Sequence, residues 1–251
     1  KADISKNHKF LLSIPLGITI FTLASFLLEY MKFRWAIIAL PLLSLAYVRT
    51  NLVFPNFSGF KKSLPVLFLI LLGSLGWLAI SVKNGLIFDF GMGFWGPHGH
   101  DGIWHLGLIE TIKNGLPAEN PAFAGERLIN YHFFYDLLLA QVSNLTNLEA
   151  IDLYFRFFPV LITFTLGGVV FILAKRWFDS NIAAFFSVFF IYFGGSFGWI
   201  LSYFKNRTLG GETAFWAQQS ISTLINPPFA ISICSLEVQS SYLESVFEFV
   251  I

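Results

Sequence analysis

The stretch Leu64-Pro-Val-Leu-Phe-Leu-Ile-Leu-Leu-Gly-Ser-Leu-Gly-Trp-Leu-Ala-Ile-Ser-Val82 carries no charged residue and is bracketed by Lys61-Lys62 and Lys83. A helix needs about 20 predominantly apolar residues to cross the hydrocarbon core of a bilayer, and this run supplies that length. It predicts a membrane-spanning helix, so lipid is part of the solvent for this chain.

The composition extends the same reading outward. The chain is 55% hydrophobic and 12% charged, with 31 Phe, against about 25% charged residues in an ordinary soluble domain. Four further runs predict spans, at Phe10–Leu28, Trp35–Val48, Leu153–Ala174 and Ile182–Phe204. A sixth, Ile221–Val238, is interrupted by Asn226-Pro227-Pro228 and closed by Glu237. Pro15, Pro41 and Pro159 fall inside spans, where neighbouring helices re-satisfy the backbone, and predict kinks. The chain starts at Lys1 without Met and stops at Ile251 soon after an apolar stretch, and so reads as a truncated piece of a longer protein. The first run lacks a small-x-small cleavage site and reads as a retained anchor.

Net charge is +1, and no Lys/Arg cluster is interleaved with aromatics, which excludes a nucleic-acid groove. The single cysteine, Cys234, excludes an intrachain disulfide framework and a cysteine-based zinc site, and reads as an apolar packing residue. The pairs Gly167-Gly168, Gly194-Gly195 and Gly210-Gly211 lack the Lys-Ser/Thr of a phosphate loop and read as sites of close helix contact.

Basic residues in short flanks set orientation. Lys1, Lys6 and Lys9 precede the first span, Arg49, Lys61 and Lys62 separate the second from the third, and Lys175-Arg176 closes the fourth. These flanks predict a cytoplasmic amino terminus and an extracytoplasmic segment 83–149, against the competing pair Lys32 and Arg34. That segment holds only Lys83, Lys113 and Arg127 as basic residues. The chain thus divides into three amino-terminal spans (1–82), an extracytoplasmic loop (83–149) and further spans (150–251). The expected fold class is all-α: a polytopic transmembrane helical bundle with short amphipathic interfacial helices in its loop.

Within the loop, Gly96-Pro-His-Gly-His-Asp-Gly-Ile-Trp-His105 places three of the five histidines beside Asp101. Asp101–Asn114 reads as a helix with Asp101 and His105 on one face, ended by Gly115 and Pro117. A second helix from Tyr131 to Leu145 would put His132 and Asp136 on one face. Both are too short to span and read as interfacial. Asp101 offers a carboxylate base and His105 an imidazole to orient it or a substrate phosphate; the same Asp101 could simply cap its helix. His98, His100, Asp101 and His105 would be the ligands if a divalent metal were bound, since imidazole and carboxylate suit zinc, manganese or iron. Asp152 and Arg156, four residues apart at the head of the fourth span, read either as a mutual ion pair or as a substrate site in which the guanidinium fork grips phosphate. Glu126-Arg127 carries the same pair of readings.

The order of these pieces resembles the first large extracytoplasmic loop of the GT-C superfamily of polytopic glycosyltransferases, which includes protein mannosyltransferases and the aminoarabinose transferase of lipid A. The matching runs are Asp101-Gly-Ile-Trp-His-Leu-Gly-Leu-Ile-Glu110, Gly115-Leu-Pro-Ala-Glu-Asn-Pro121, Asn130-Tyr-His-Phe-Phe-Tyr-Asp-Leu-Leu-Leu-Ala140 and a span closing at Lys175-Arg176. The resemblance covers Gly96–Phe204. It implies transfer of a sugar from a polyprenyl-phosphate donor to a lipid, glycan or protein acceptor outside the cytoplasmic membrane, without a required cofactor. Asp101 would be the general base and His105 an orienting residue, while Arg156 or Arg127, with His132, Asp136 and Asp152, would bind substrate. Two departures stand out: three spans precede the loop where many relatives have one, and Asp101-Gly102 replaces their Asp-Glu pair. The alternatives are a metal-dependent membrane hydrolase or phosphotransferase, and a transporter or non-catalytic membrane component.

Overall fold

The structure, a computed structural model, describes residues 6–50, 60–194 and 198–207. The predicted sixth span, Cys234 and Gly210-Gly211 lie outside the described residues. The described chain is mostly helical. Its helices are α1 (Lys6–Tyr30), α2 (Ala39–Thr50), α3 (Phe60–Ser81), α4 (Asp101–Lys113), α5 (Phe134–Thr146), α6 (Ala150–Asp152), α7 (Phe158–Phe178), α8 (Asn181–Phe193) and α9 (Gly198–Asn206). Leu153–Phe157 forms a π-helical turn that joins α6 to α7.

Among the described residues, three helical segments are long and apolar enough to cross a membrane: Phe10–Tyr30, Leu64–Ser81 and Ala150–Phe178. The other two predicted spans fall short. Around Trp35 the chain first forms a 3-10 helix, Arg34–Ile38, and α2 then begins with Pro41 in its first turn, the one part of a helix that has no use for the missing N–H. The predicted span Ile182–Phe204 is cut at Gly194, where the backbone turns extended after Phe193. A Cβ at Gly194 would collide with the carbonyl of Phe190, so this glycine ends a helix and does not mediate helix contact.

The chain folds as two compact units, Lys1–Ser58 with Asn84–Phe158, and Gly59–Lys83 with Pro159–Ile251. Each unit joins two stretches distant in sequence, because α1 packs on a helix of the loop and α3 on a later helix.

In the second unit, Leu69, Ile70 and Trp77 of α3, Leu166 of α7, and Val188 and Tyr192 of α8 form a buried cluster. The Tyr192 hydroxyl donates to the Thr163 carbonyl at 2.6 Å, and the Trp77 indole donates to the Tyr192 carbonyl at 3.0 Å. The Tyr192 side chain packs directly against two glycines: a Cβ on Gly73 would collide with its Cγ and one on Gly167 with its hydroxyl oxygen. Gly167 thus does serve close packing. Gly73→Ala is expected to destabilise this unit by about 1–3 kcal/mol through overpacking, read as a fall in melting temperature of the detergent-solubilised protein. Gly76→Ala, where an added Cβ meets nothing, serves as the control.

In the first unit, α5 packs on both α4 and α1. Leu108, Ile109 and Ile112 of α4 and Leu137, Leu138, Leu139 and Ala140 of α5 are its buried core. α5 is therefore buried within this unit. Two of its polar residues reach other side chains: Gln141 donates to Glu29 of α1 at 2.6 Å, and Oδ1 of Asp136 pairs with His105 of α4. It also starts three residues later than expected, because Asn130 is left-handed (φ 55°) and Phe133 is non-helical. His132 consequently precedes the helix and does not share a face with Asp136.

The carboxy-terminal end of α4 docks on the end of α1. Arg34 bonds Glu29 and donates to the Lys113 carbonyl at 2.6 Å and the Ile112 carbonyl at 3.3 Å, while Lys32 donates to the Leu116 carbonyl at 2.7 Å. Cations at the carbonyl end of a helix complement its dipole. Lys32 and Arg34, the competing basic flank, are thus committed to the loop. The all-α expectation is corrected in one place, by an antiparallel hairpin of β1 (Leu86–Phe88) and β2 (Gly91–Gly93).

Candidate functional site

The candidate site is the amino-terminal half of α4 and the residues stacked on it. A 3-10 turn, Gly96–Gly99, leads into α4, and Gly102 lets the first turn lie against the Phe155 ring and the His98 side chain, which a Cβ would meet at 2.9 and 3.3 Å. Asp101 is the first residue of the helix, and the cap position belongs to His100, whose side chain makes no capping bond. The capping reading of Asp101 therefore gives way to a helix-dipole role. Its side chain is 41% exposed and its Oδ1 lies 2.8 Å from Nδ1 of His100, itself 93% exposed.

One turn further on, His105 is buried and points to a different carboxylate. Its Nδ1 is 2.8 Å from Oδ1 of Asp136, which is fully buried in α5. Burial pushes the Asp136 carboxyl above its ordinary pKa, opposed by the hydrogen bond from His105 and by the charges of His105 and His132. The His105 ring stacks on Tyr154, with centroids 5.6 Å apart, and Tyr131 tilts against it at 6.2 Å. A carboxylate on Nδ1 fixes the tautomer and orientation of an imidazole and leaves Nε2 for other chemistry.

The widened turn Leu153–Phe157 allows three consecutive side chains, Leu153, Tyr154 and Phe155, to be buried together. Tyr154 and Phe155 meet His98 edge-on, at 6.4 and 5.1 Å. The hydroxyls of Tyr135 and Tyr154, Oδ2 of Asp136 and both nitrogens of His98 are buried without a protein partner among the described residues. Sequence patterning missed Tyr131, Tyr135 and Tyr154 as members of this cluster, since nothing local separates them from the other aromatics. Burial pushes His98 down to about pKa 4, with the Asp101 charge opposing and His105 reinforcing.

That shift has a consequence for stability. A histidine whose folded pKa lies below its unfolded value stabilises the fold less as pH falls from about 6.5 toward 4, and the loss reaches about 3 kcal/mol by pH 4. Asp136, shifted upward, acts in the opposite sense as acid is added. His98→Phe removes only the histidine contribution and replaces unpartnered nitrogens by carbon. Thermal melts of this variant between pH 7 and 4 are expected to fall less steeply than those of the parent protein.

The remaining predicted site residues separate. Arg156 bonds Asp152 and donates to the Asn84 carbonyl at 2.8 Å, so it acts as a clamp between the head of the span and the loop. Arg127 is exposed, and its backbone pairs with Glu119, whose carbonyl accepts from Thr111 at 3.2 Å. Thr111 lies ten residues along α4 from Asp101, about 15 Å at the helical rise. His132 is exposed, its ring 4.6 Å from that of Tyr131, whose ring meets Trp104 of α4 at 5.7 Å. The ligand set His98, His100, Asp101 and His105 does not assemble: His98 and His105 are buried while His100 faces outward, and among the described residues no three His, Cys, Asp or Glu form a metal-binding group.

The chain matches no family model, and no curated protein or solved structure shows significant similarity to it.

Proposed function

We propose that the chain belongs to a polytopic GT-C-like glycosyltransferase of the cytoplasmic membrane, which moves a sugar from a polyprenyl-phosphate donor to an acceptor on the extracytoplasmic side. The observation that carries this reading is a half-exposed carboxylate, Asp101, at the positive end of a helix whose next turn is anchored by the buried His105–Asp136 pair. A catalytic base needs both access to substrate and a rigid support. Asp101 accepts the proton of the acceptor hydroxyl as its oxygen attacks the anomeric carbon. The bond from that carbon to the phosphate oxygen breaks, and polyprenyl phosphate leaves with the electron pair. His100, bonded to Asp101 and open to water, passes the proton to solvent.

The leaving phosphate needs positive charge where its own develops. His132, beside Tyr131 whose ring meets Trp104 of α4, is placed to donate a ring N–H to that phosphate, whereas Arg127 stands along the far half of α4 and Arg156 bonds Asp152 and the Asn84 carbonyl. Orientation draws support from the docking of α4 on the end of α1. If α1 crosses the bilayer from a basic cytoplasmic start, this end emerges on the other side, where the loop then lies.

The test is transfer of a labelled sugar from a polyprenyl-phosphate donor in membranes containing the full protein, with and without a chelator. Transfer that survives chelation supports the reading. Absence of transfer from any polyprenyl-phosphate sugar refutes it, and transfer abolished by chelation and restored by a divalent metal favours the metal-dependent alternative.

A further inference from the structure

The hairpin β1–β2 is apolar and, among the described residues, exposed on one side. Its register pairs Leu86 with Gly93, Ile87 with Met92 and Phe88 with Gly91. Successive strand residues face opposite ways, so Ile87 and Met92 share one face and Phe88 lies on the other. Phe88 stacks in parallel on Phe90 at 5.3 Å and meets Trp95 edge-on at 4.9 Å, and a Cβ on Gly93 would strike both Trp95 and Phe88. Phe90 thus belongs to the Phe88 side, where it remains 75% exposed at the turn, while on the opposite face Ile87 is 83% exposed and Met92 53%.

The root of the hairpin fixes its height. Asn84 accepts from Arg156 through its carbonyl at 2.8 Å and from the Trp95 N–H through its side chain at 2.7 Å. Gly85, at φ +71°, lies so close to Ile151 that a Cβ would overlap it. Ile151 and Arg156 belong to the first turns of the candidate span Ala150–Phe178, which places the hairpin at the level where that span leaves the hydrocarbon. Tryptophan and other amphipathic rings concentrate at this depth. The only charge in the hairpin, Asp89, sits in its turn, which suits a position in the headgroup layer and opposes deeper insertion.

We propose that the Ile87–Met92 face rests on the bilayer, so that the hairpin is an interfacial anchor holding the loop at a fixed depth. This assignment is independent of the reaction catalysed. It is tested with the full chain reconstituted in phosphatidylcholine vesicles, carrying Cys234→Ser and a nitroxide on Ile87→Cys, with Glu126→Cys as an exposed reference. The label at Ile87→Cys is expected to collide more with oxygen and less with a water-soluble nickel chelate than the label at Glu126→Cys. Equal access of the chelate at both positions overturns the proposal. Shielding of the Ile87→Cys label from both reagents also overturns it, since another part of the protein then covers this face. A second label, on Met92→Cys, reports the same face if the first variant fails to fold.

Discussion

Asp101→Asn is expected to lower sugar transfer about 10²–10⁴-fold while leaving the fold in place. The magnitude is that of a positioned general base, about 3–5 kcal/mol of activation free energy. The structural loss is much smaller. Asp101 makes no capping bond, and its favourable position at the helix amino terminus is worth about 0.3–1 kcal/mol. Asparagine keeps the shape and an acceptor for His100, so only the capacity to take a proton disappears. Transfer rates and thermal melts on the same preparation separate the two effects. A variant that melts normally and still transfers sugar would remove Asp101 as the base. His100→Gln is expected to cost far less activity, because water can carry the proton from so exposed a group.

Much of this architecture is legible in local pattern, and its limits have physical causes. Hydropathy finds the three long apolar helices, because length and lack of charge are properties of a continuous stretch. It overextends two others, since an average over a window does not register where a helix tightens to 3-10 at Arg34–Ile38 or stops at Gly194. α4 is read nearly to the residue from its periodicity and from Gly115 and Pro117 behind it. The hairpin is invisible by the same means: three residues per strand, two of them glycine in β2, are too few for an alternating pattern.

The candidate site is half legible for a related reason. Helical spacing brings together residues four apart, so Asp152 and Arg156 are correctly joined. The same rule pairs Asp101 with His105 and His132 with Asp136, whereas the fold joins His105 to Asp136 across 31 residues. Two polar pairs on consecutive short helices were the available signal. Exchange of partners between them depends on which faces of α4 and α5 meet, which local pattern does not contain.

Asp136→Ala is expected to destabilise the loop by about 2–4 kcal/mol, the largest structural loss of any single change at the site. Asp136 is fully buried and its Oδ1 is the partner of Nδ1 of His105. Truncation leaves a buried imidazole nitrogen unsatisfied, at about 1–3 kcal/mol, and opens a small cavity between α4 and α5, whose walls relax only in part. Asp136→Asn separates pairing from charge: the amide oxygen still accepts from Nδ1–H, and the penalty for burying a carboxylate is removed. Desolvation is the leading influence on Asp136, so the amide is expected to recover most of the stability lost in the alanine variant. Melting of the two variants in detergent at pH 7 gives the comparison. If alanine and asparagine melt alike and well below the parent, the ionised carboxylate itself holds the helices together and the pair is a true ion pair. If the asparagine variant is stable yet transfers sugar slowly, Asp136 acts through the protonation of His105 and beyond its part in packing.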